Sequence, residues 1–303
     1  MSTEISAPSW RSIERPREDE LLVVVGPTAS GKTELAIRLA ESWGGEIIGA
    51  DSVQIYRGFD VGSGKPSAEE RARAPHHLVD VIAPDEPFDA QAWADRADQA
   101  IADIRGRDRV PIVCGGTFFW VRALVLGLAA LPVADPELRA RHAALAEAEG
   151  RPALHAKLAA VDPESAARLA PNDLVRVSRA LEVFELSGRT QSAWHDDHGF
   201  RAARHAARFV GVAQTREELD RRIERRTSAW LAGGWIEEVR SLLDAGFGAT
   251  RPMGAVGYRQ VKDRLDGALP EDALHREIVR ATRVYVRRQR TWLRDEPVAW
   301  VAT

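Results

Sequence analysis

Residues 26–33 read GPTASGKT, a complete G-x-x-x-x-G-K-[ST] loop, preceded by the β-branched run LLVVV at 21–25 and followed by the amphipathic stretch ELAIRLA. Strand, glycine loop and helix in this order constrain the fold more than anything else in the chain. Such a loop works only where a buried strand delivers it to a helix N-terminus. Gly26 and Gly31 let backbone N–H groups close around phosphate oxygens, with Pro27, Thr28, Ala29 and Ser30 completing the cradle. Lys32 neutralises terminal phosphates and Thr33 is suited to bind Mg²⁺. A polyphosphate or diphosphate is therefore expected here; the competing reading is a glycine-rich turn without a ligand.

The pattern beyond the loop repeats strand and helix. EIIGA (46–50) ends at Asp51, LVDVI (78–82) has strand composition, and RVPIVC (109–114) runs into the tight turn Gly115-Gly116-Thr117. Helical periodicity fills FDAQAWADRADQAIADIRG between the last two. Such alternation implies a parallel sheet covered on both faces, with ligands at the carboxyl ends of the strands, where the P-loop, Asp51 and Thr117 all fall. From 121 to 204 the chain changes to Ala-, Leu- and Arg-rich helical patterns with starts at ADPEL, DPESA and PNDLV. RFVGVA (208–213) then returns to strand composition. The expected architecture is thus α/β: a disordered tail at 1–19, a P-loop NTPase-like core over 20–120, an inserted all-helical domain over 121–204, and the rest of the core with a helical C-terminus over 205–303.

Composition excludes several classes. With 45% hydrophobic and 29% charged residues and no apolar run near the ~18 residues of a membrane helix, the chain is globular. The first twenty residues lack the apolar core of a secretory signal, so a cytoplasmic location is expected. A lone Cys114 rules out an intramolecular disulfide and a cysteine-rich zinc site; in PIVC it reads as a buried core residue.

Asp51 is open to three readings: a magnesium ligand beside the P-loop, a base aimed at an acceptor, or a turn carboxylate. No apolar strand ends in an adjacent Asp-Glu pair, and no [NT]-K-x-D sequence is present. Those absences point away from an ATP-driven motor or GTPase switch and toward a transferase whose loop holds a leaving group. His76 and His77 read as structural or substrate-loop residues, because no cysteine or acidic cluster accompanies them; His195 and His198 have acids between them, but in a polar, Gly-flanked stretch without a helical core pattern they read as part of a solvated loop.

Net charge is −3, yet Arg276, Arg280, Arg283, Arg287, Arg290 and Arg294 recur at spacings of four and three, which places them on one helix stripe. No Asp or Glu lies between Ile278 and Arg294, so phosphates from outside are the expected partners. Ile278, Ala281, Tyr285 and Trp292 are left for the packed side.

GPTASGKT, ADSVQIYRGFDVGSGKPS, APHHLVDV, the GGT turn, LPVADPELRAR, DPESAARLAPNDLVRVSRALEVFELSG, VGYRQ and RRQRTWLR, in this order from Leu21 to Trp300, resemble the tRNA dimethylallyltransferases. The P-loop alone is common to many families; the series of eight motifs is specific. The resemblance implies a P-loop core with a helical insertion, Mg²⁺ as cofactor, and dimethylallyl diphosphate and the anticodon stem-loop of tRNA as substrates, in a monomer without membrane association. It makes Asp51 the general base, Thr117 a tRNA contact near the target base, and Arg226 a diphosphate-directed arginine. Asp51, Ser52, Val53 and Gln54, Arg139, the run Val175, Arg176, Val177, Ser178 and Arg179, and Gly257, Tyr258 and Arg259 match tRNA-contacting segments, joined by Arg283 and Arg287 of the stripe. GGTFFW departs from the Gly-Leu-Tyr continuation the family has after GGT, which bears on the packing of the acceptor channel. Rival readings are an adenylate isopentenyltransferase, disfavoured by the long helical C-terminus, a P-loop kinase of a small metabolite, and a non-catalytic RNA-binding protein, disfavoured by the intact Lys32, Thr33 and Asp51.

Overall fold

The computed structural model describes residues 7–200 and 202–302. Two compact units emerge: Leu126–Arg204, and one built from the chain on either side of it.

The larger unit contains β1 (Glu20–Val25), α1 (Lys32–Trp43), β2 (Gly45–Ala50), α2 (Ala68–Arg73), β3 (His76–His77), α3 (Ala90–Arg105), β4 (Val110–Gly115) and α4 (Phe118–Leu126, which ends at the unit boundary). The other unit holds five helices, α5 (Pro136–Ala148), α6 (Arg151–Val161), α7 (Pro163–Arg168), α8 (Leu174–Ser187) and α9 (Gln191–His198). The chain then returns through β5 (Ala206–Val212), α10 (Arg216–Ala232), α11 (Trp235–Asp244), α12 (Tyr258–Leu265), α13 (Glu271–Leu293) and β6 (Val298–Val301). All neighbouring strands pair in parallel, in the order β3-β2-β4-β1-β5-β6. The central strands β1, β2 and β4 are near-continuous buried apolar runs, as expected of a sheet covered on both faces.

Three helices in 126–204 start at an aspartate cap. Asp135, Asp162 and Asp173 accept backbone N–H groups at the starts of α5, α7 and α8, with proline in the first turn of the first two. Leu154, Leu158, Val177, Ala180 and Leu181 form the core of this unit.

Several expectations are corrected. The tail is ordered from residue 7: Trp10 N–H donates to Ala302 at 3.0 Å, Ala302 N–H to Pro8 at 2.8 Å, and Trp10 and Ile13 pack on the core of the sheet unit. Residues 1–6 of that predicted tail lie outside the described residues. LVDVI is not a strand; Leu78 and Asp80 have φ of 59° and 61°, and a single bridge joins Ile82 to Tyr56. Asp80 bends the chain because its carboxylate gathers Lys65 and Arg71. The basic C-terminal helix is present as α13, but the chain continues past it: VAWV extends the sheet beyond β5, a segment too short to show alternation in sequence. The change of unit falls near 126 rather than 121, because α4 packs into the core through the Trp120–Trp93 stack and the Phe118–Phe209 contact. His195 and His198 lie on α9, which Thr190 caps, rather than in a loop.

Candidate active site

Strand register assembles the site. Val25 pairs with Gly115 and Gly115 with Ala50, so Gly26, Asp51 and Gly116 leave the sheet side by side. Gly31 sits at the N-cap of α1 with φ of 94°, a left-handed conformation in which a side chain would be strained, and Lys32 and Thr33 open the helix. The loop amides and the helix end thus face the same side as Asp51.

Two cations approach this carboxylate. Burial lowers the Lys32 pKa, with Asp51 opposing the shift and Arg226 adding to it. Burial likewise pulls Arg226 down to about 10, partly offset by Asp51. The Arg226 guanidinium lies 4.4 Å from the centre of the Trp230 ring. Neither cation has an ion-pair partner within 4.0 Å among the described residues. Two desolvated cations facing one carboxylate leave a net positive site that an anion would complete.

Asp51 is anchored as a turn residue and still exposed to chemistry. Its Oδ1 accepts the N–H groups of Val53 at 2.9 Å and Gln54 at 3.2 Å, leaving Oδ2 without a partner among the described residues. Thr117 joins two strand ends: its N–H donates to Ala50 at 3.1 Å and its Oγ1 accepts from Ser52 N–H at 3.0 Å. Gln54 is committed to its own loop, donating to the carbonyls of Ser63 and Gly64. In the GGTFFW run, Phe118 and Trp120 are buried and Phe119 is half exposed.

The donor set suits a diphosphate with a hard cation. Ser30 Oγ is buried without a partner, and the Thr33 hydroxyl makes no hydrogen bond among the described residues. With Asp51 Oδ2 these are oxygen donors of the kind Mg²⁺ and phosphate take. Cys114 is a buried core thiol, its pKa pushed up to about 11 by burial.

The residues matched to tRNA contacts separate into groups. In the helical unit, Glu182 is fully buried and accepts from Arg139 (Nε and Nη2, both at 2.9 Å) and from Arg179. Those two arginines are fastened internally. Val177 is buried in the core of the unit and Ser178 bonds His142 at 2.9 Å, whereas Val175 and Arg176 are exposed. Gly257 N–H donates to Gln260 at 2.7 Å, and the fully buried Tyr258 donates its hydroxyl to Glu238 at 2.6 Å. The side chains of Val177 and Tyr258 therefore pack and present no surface to a partner; Arg259 is exposed.

The arginine stripe is less free than its local sequence implies. Arg283 pairs with Asp220 and Glu224 of α10, Arg280 with Glu277, and Arg294 with Asp295. Packing against α10 supplies acids that α13 lacks beyond Glu277. Arg287 and Arg290 are exposed and have no ion pair among the described residues. Trp292 is 46% exposed, so it does not belong to the packed side; that side is Ile278, Val279, Thr282, Val286, Gln289 and Leu293.

Two site residues were not foreseen. Tyr285 lies beside Gln289, and burial with the nearby Asp51 charge raises its pKa. Gln289 accepts from Thr28 N–H at 2.9 Å and donates to Gly116 at 3.1 Å. The available signal was a polar Gln289 in the otherwise apolar spacing Val279, Val286, Leu293.

The IPP transferase family model matches residues 54–296, and the isopentenyl transferase model residues 19–80. A tRNA dimethylallyltransferase of Sorangium cellulosum (strain So ce56) is 69% identical over 97% of this chain and 94% of its own. Its counterpart in Geobacter metallireducens is 46% identical over 95% of this chain and 94% of its own. The full-length tRNA isopentenylpyrophosphate transferase from Bacillus halodurans superposes with a TM-score of 0.69 at 35% identity, covering 94% of this chain and 90% of that one. A eukaryotic dimethylallyltransferase acting on tRNA gives 0.75 at 25% identity, over 91% and 70%. With this family model matching more than half of the chain and a 69% identical relative covering 97% of it, the chain belongs to the IPP transferase family.

Proposed function

We propose that the protein transfers the dimethylallyl group of dimethylallyl diphosphate to the exocyclic N6 amine of the adenosine on the 3′ side of the anticodon in tRNA, releasing pyrophosphate. The observation that carries this is the pair Lys32 and Arg226, desolvated, without ion pairs among the described residues, and facing Asp51 beside a P-loop. Close relatives named tRNA dimethylallyltransferase support the same reaction class. No described helix is long and apolar enough to cross a membrane.

The chemistry explains why these residue types are needed. Adenine's exocyclic amine is a weak nucleophile because its lone pair is delocalised into the ring. The N6–carbon bond forms as the allylic carbon–oxygen bond breaks, and that electron pair leaves with pyrophosphate. Lys32, Arg226 and the amides of the P-loop stabilise the departing charge, which is the largest demand of the step. Asp51, through its unengaged Oδ2, takes the proton that N6 loses. Thr33 is the residue that would hold Mg²⁺, which when bound would supply further neutralisation of the leaving group. Extruding the base from its stack costs a few kcal/mol. Arg287, Arg290, Arg259, Arg176 and Val175 are exposed members of the predicted RNA-contacting set and are available to offset it, whereas the exposed Arg139 is held by Glu182.

Incubating the protein with tRNA, Mg²⁺ and dimethylallyl diphosphate, followed by mass spectrometry of the nucleosides, tests the reading. Prenylated adenosine with stoichiometric pyrophosphate and no ATP requirement is expected. Modification of free AMP in place of tRNA would support the free-nucleotide rival, and a strict need for ATP the kinase.

A further inference from the structure

We infer that Gln289, on the C-terminal helix, is a positioning residue that locks the diphosphate cradle to the turn after β4. The inference rests on the proposed diphosphate site and names a residue acting on it from 261 positions away in sequence.

The two bonds of its amide run to different strand ends. Oε1 accepts Thr28 N–H in the P-loop after β1, and Nε2 donates to the Gly116 carbonyl after β4. Gly116 leads directly into Thr117, which is bonded to Ala50 and Ser52 on either side of Asp51. One buried amide thus completes a chain of hydrogen bonds from the phosphate loop to the carboxylate that faces the acceptor. Tyr285, one turn earlier on α13, lies beside the Gln289 side chain.

The fit at Gly116 is close. A Cβ there would lie 2.4 Å from Gln289 Nε2, so the amide occupies the space a side chain would need. Gly116 is not in the left-handed region, so the demand for glycine at this place comes from the approach of Gln289 and not from backbone conformation. Thr28 N–H, held by Gln289, is turned away from a phosphate, and the remaining loop amides are presented by a loop whose first half is pinned. A buried glutamine on an apolar helix seam costs desolvation unless both ends of its amide are used, and here both are.

The prediction is specific to the diphosphate. Replacing Gln289 by Met keeps length and removes both bonds; the KM for dimethylallyl diphosphate and the Kd for pyrophosphate should rise roughly tenfold or more, with the KM for tRNA unchanged. Gly116→Ala displaces the same amide from the other side and should give the same split. The double variant should be little worse than either single one, as expected of two changes that break one contact. Thermal unfolding and circular dichroism verify that each variant is folded. Wild-type values for the diphosphate in either folded variant, or strictly additive losses in the double variant, would overturn the role. Wild-type protein that neither binds pyrophosphate nor prenylates tRNA would instead sink the underlying functional reading.

Discussion

Arg283 of α13 is ion-paired with Asp220 of α10 at 3.0 Å, and its other amine group reaches Glu224 at 2.8 Å. The arginine stripe is therefore divided between residues that fasten two helices and residues that face solvent with their charge unmatched.

Charge reversal should separate the two sets. Arg287→Glu with Arg290→Glu is expected to weaken tRNA binding and flatten its salt dependence by a log–log slope of roughly 0.7 to 0.9 per lost phosphate contact. Arg283→Glu is expected to act mainly on stability, because it sets a third acid beside Asp220 and Glu224. Filter binding across a salt series, with melting temperatures alongside, distinguishes them; an unchanged slope in the first variant would return Arg287 and Arg290 to the role of a solvated face.

Asp51→Asn keeps an Oδ1 for the Val53 and Gln54 amides, so the turn should persist. What it removes is the negative charge and the proton acceptor. Single-turnover prenylation at saturating substrates should slow by a factor on the order of 10² to 10⁴, with tRNA affinity retained. A variant at the wild-type rate would remove Asp51 from proton transfer.

Burial depresses Lys32 below the ordinary lysine value, and Arg226 titrates near 10. A diphosphate binds the protonated forms and raises both pKa values. Affinity is therefore full while both are protonated and falls as pH rises through the depressed Lys32 value and through the Arg226 value near 10. Calorimetry with pyrophosphate in buffers of different ionisation enthalpy should show proton uptake in that window. Affinity independent of pH up to about 10, the Arg226 value, would contradict the assignment of these cations to the leaving group.

In the helical unit, burial alone would raise the Glu182 pKa, but hydrogen bonds from Arg139, Arg179 and the Asp135 amide outweigh it and hold it below the usual range. Its contribution to stability is present above the unfolded-state carboxylate pKa and is lost as pH falls through the lower folded value. Glu182→Gln should destabilise residues 126–204 by about 2 kcal/mol, less than for a fully buried pair because Arg139 retains 47% exposure. Amide hydrogen exchange confined to that unit is the measurement; protection equal to the wild type would show that the cluster adds nothing.

How much was legible in the sequence follows from the range of the interactions involved. The P-loop, the strand runs ending at Asp51 and before Gly116, and the capped starts of α5, α7 and α8 are local: each needs only a few consecutive residues with the right backbone preferences, and each was readable. The resemblance to the family implied roles for Asp51, Thr117 and Arg226 that no single segment suggests, and these roles stand as proposals. Tertiary structure alone decided the rest, because it depends on which distant groups meet. Asp80 turned an apolar run away from the sheet by collecting Lys65 and Arg71, and VAWV became a strand only because β5 offered it an edge. Asp220 and Glu224 neutralised an arginine that its own helix leaves unpaired. Gln289 found Thr28 and Gly116 because parallel register brings β1 and β4 to the same level beneath α13. A helix can declare in sequence that it carries a glutamine on its buried face, but only packing supplies the two backbone groups that face it.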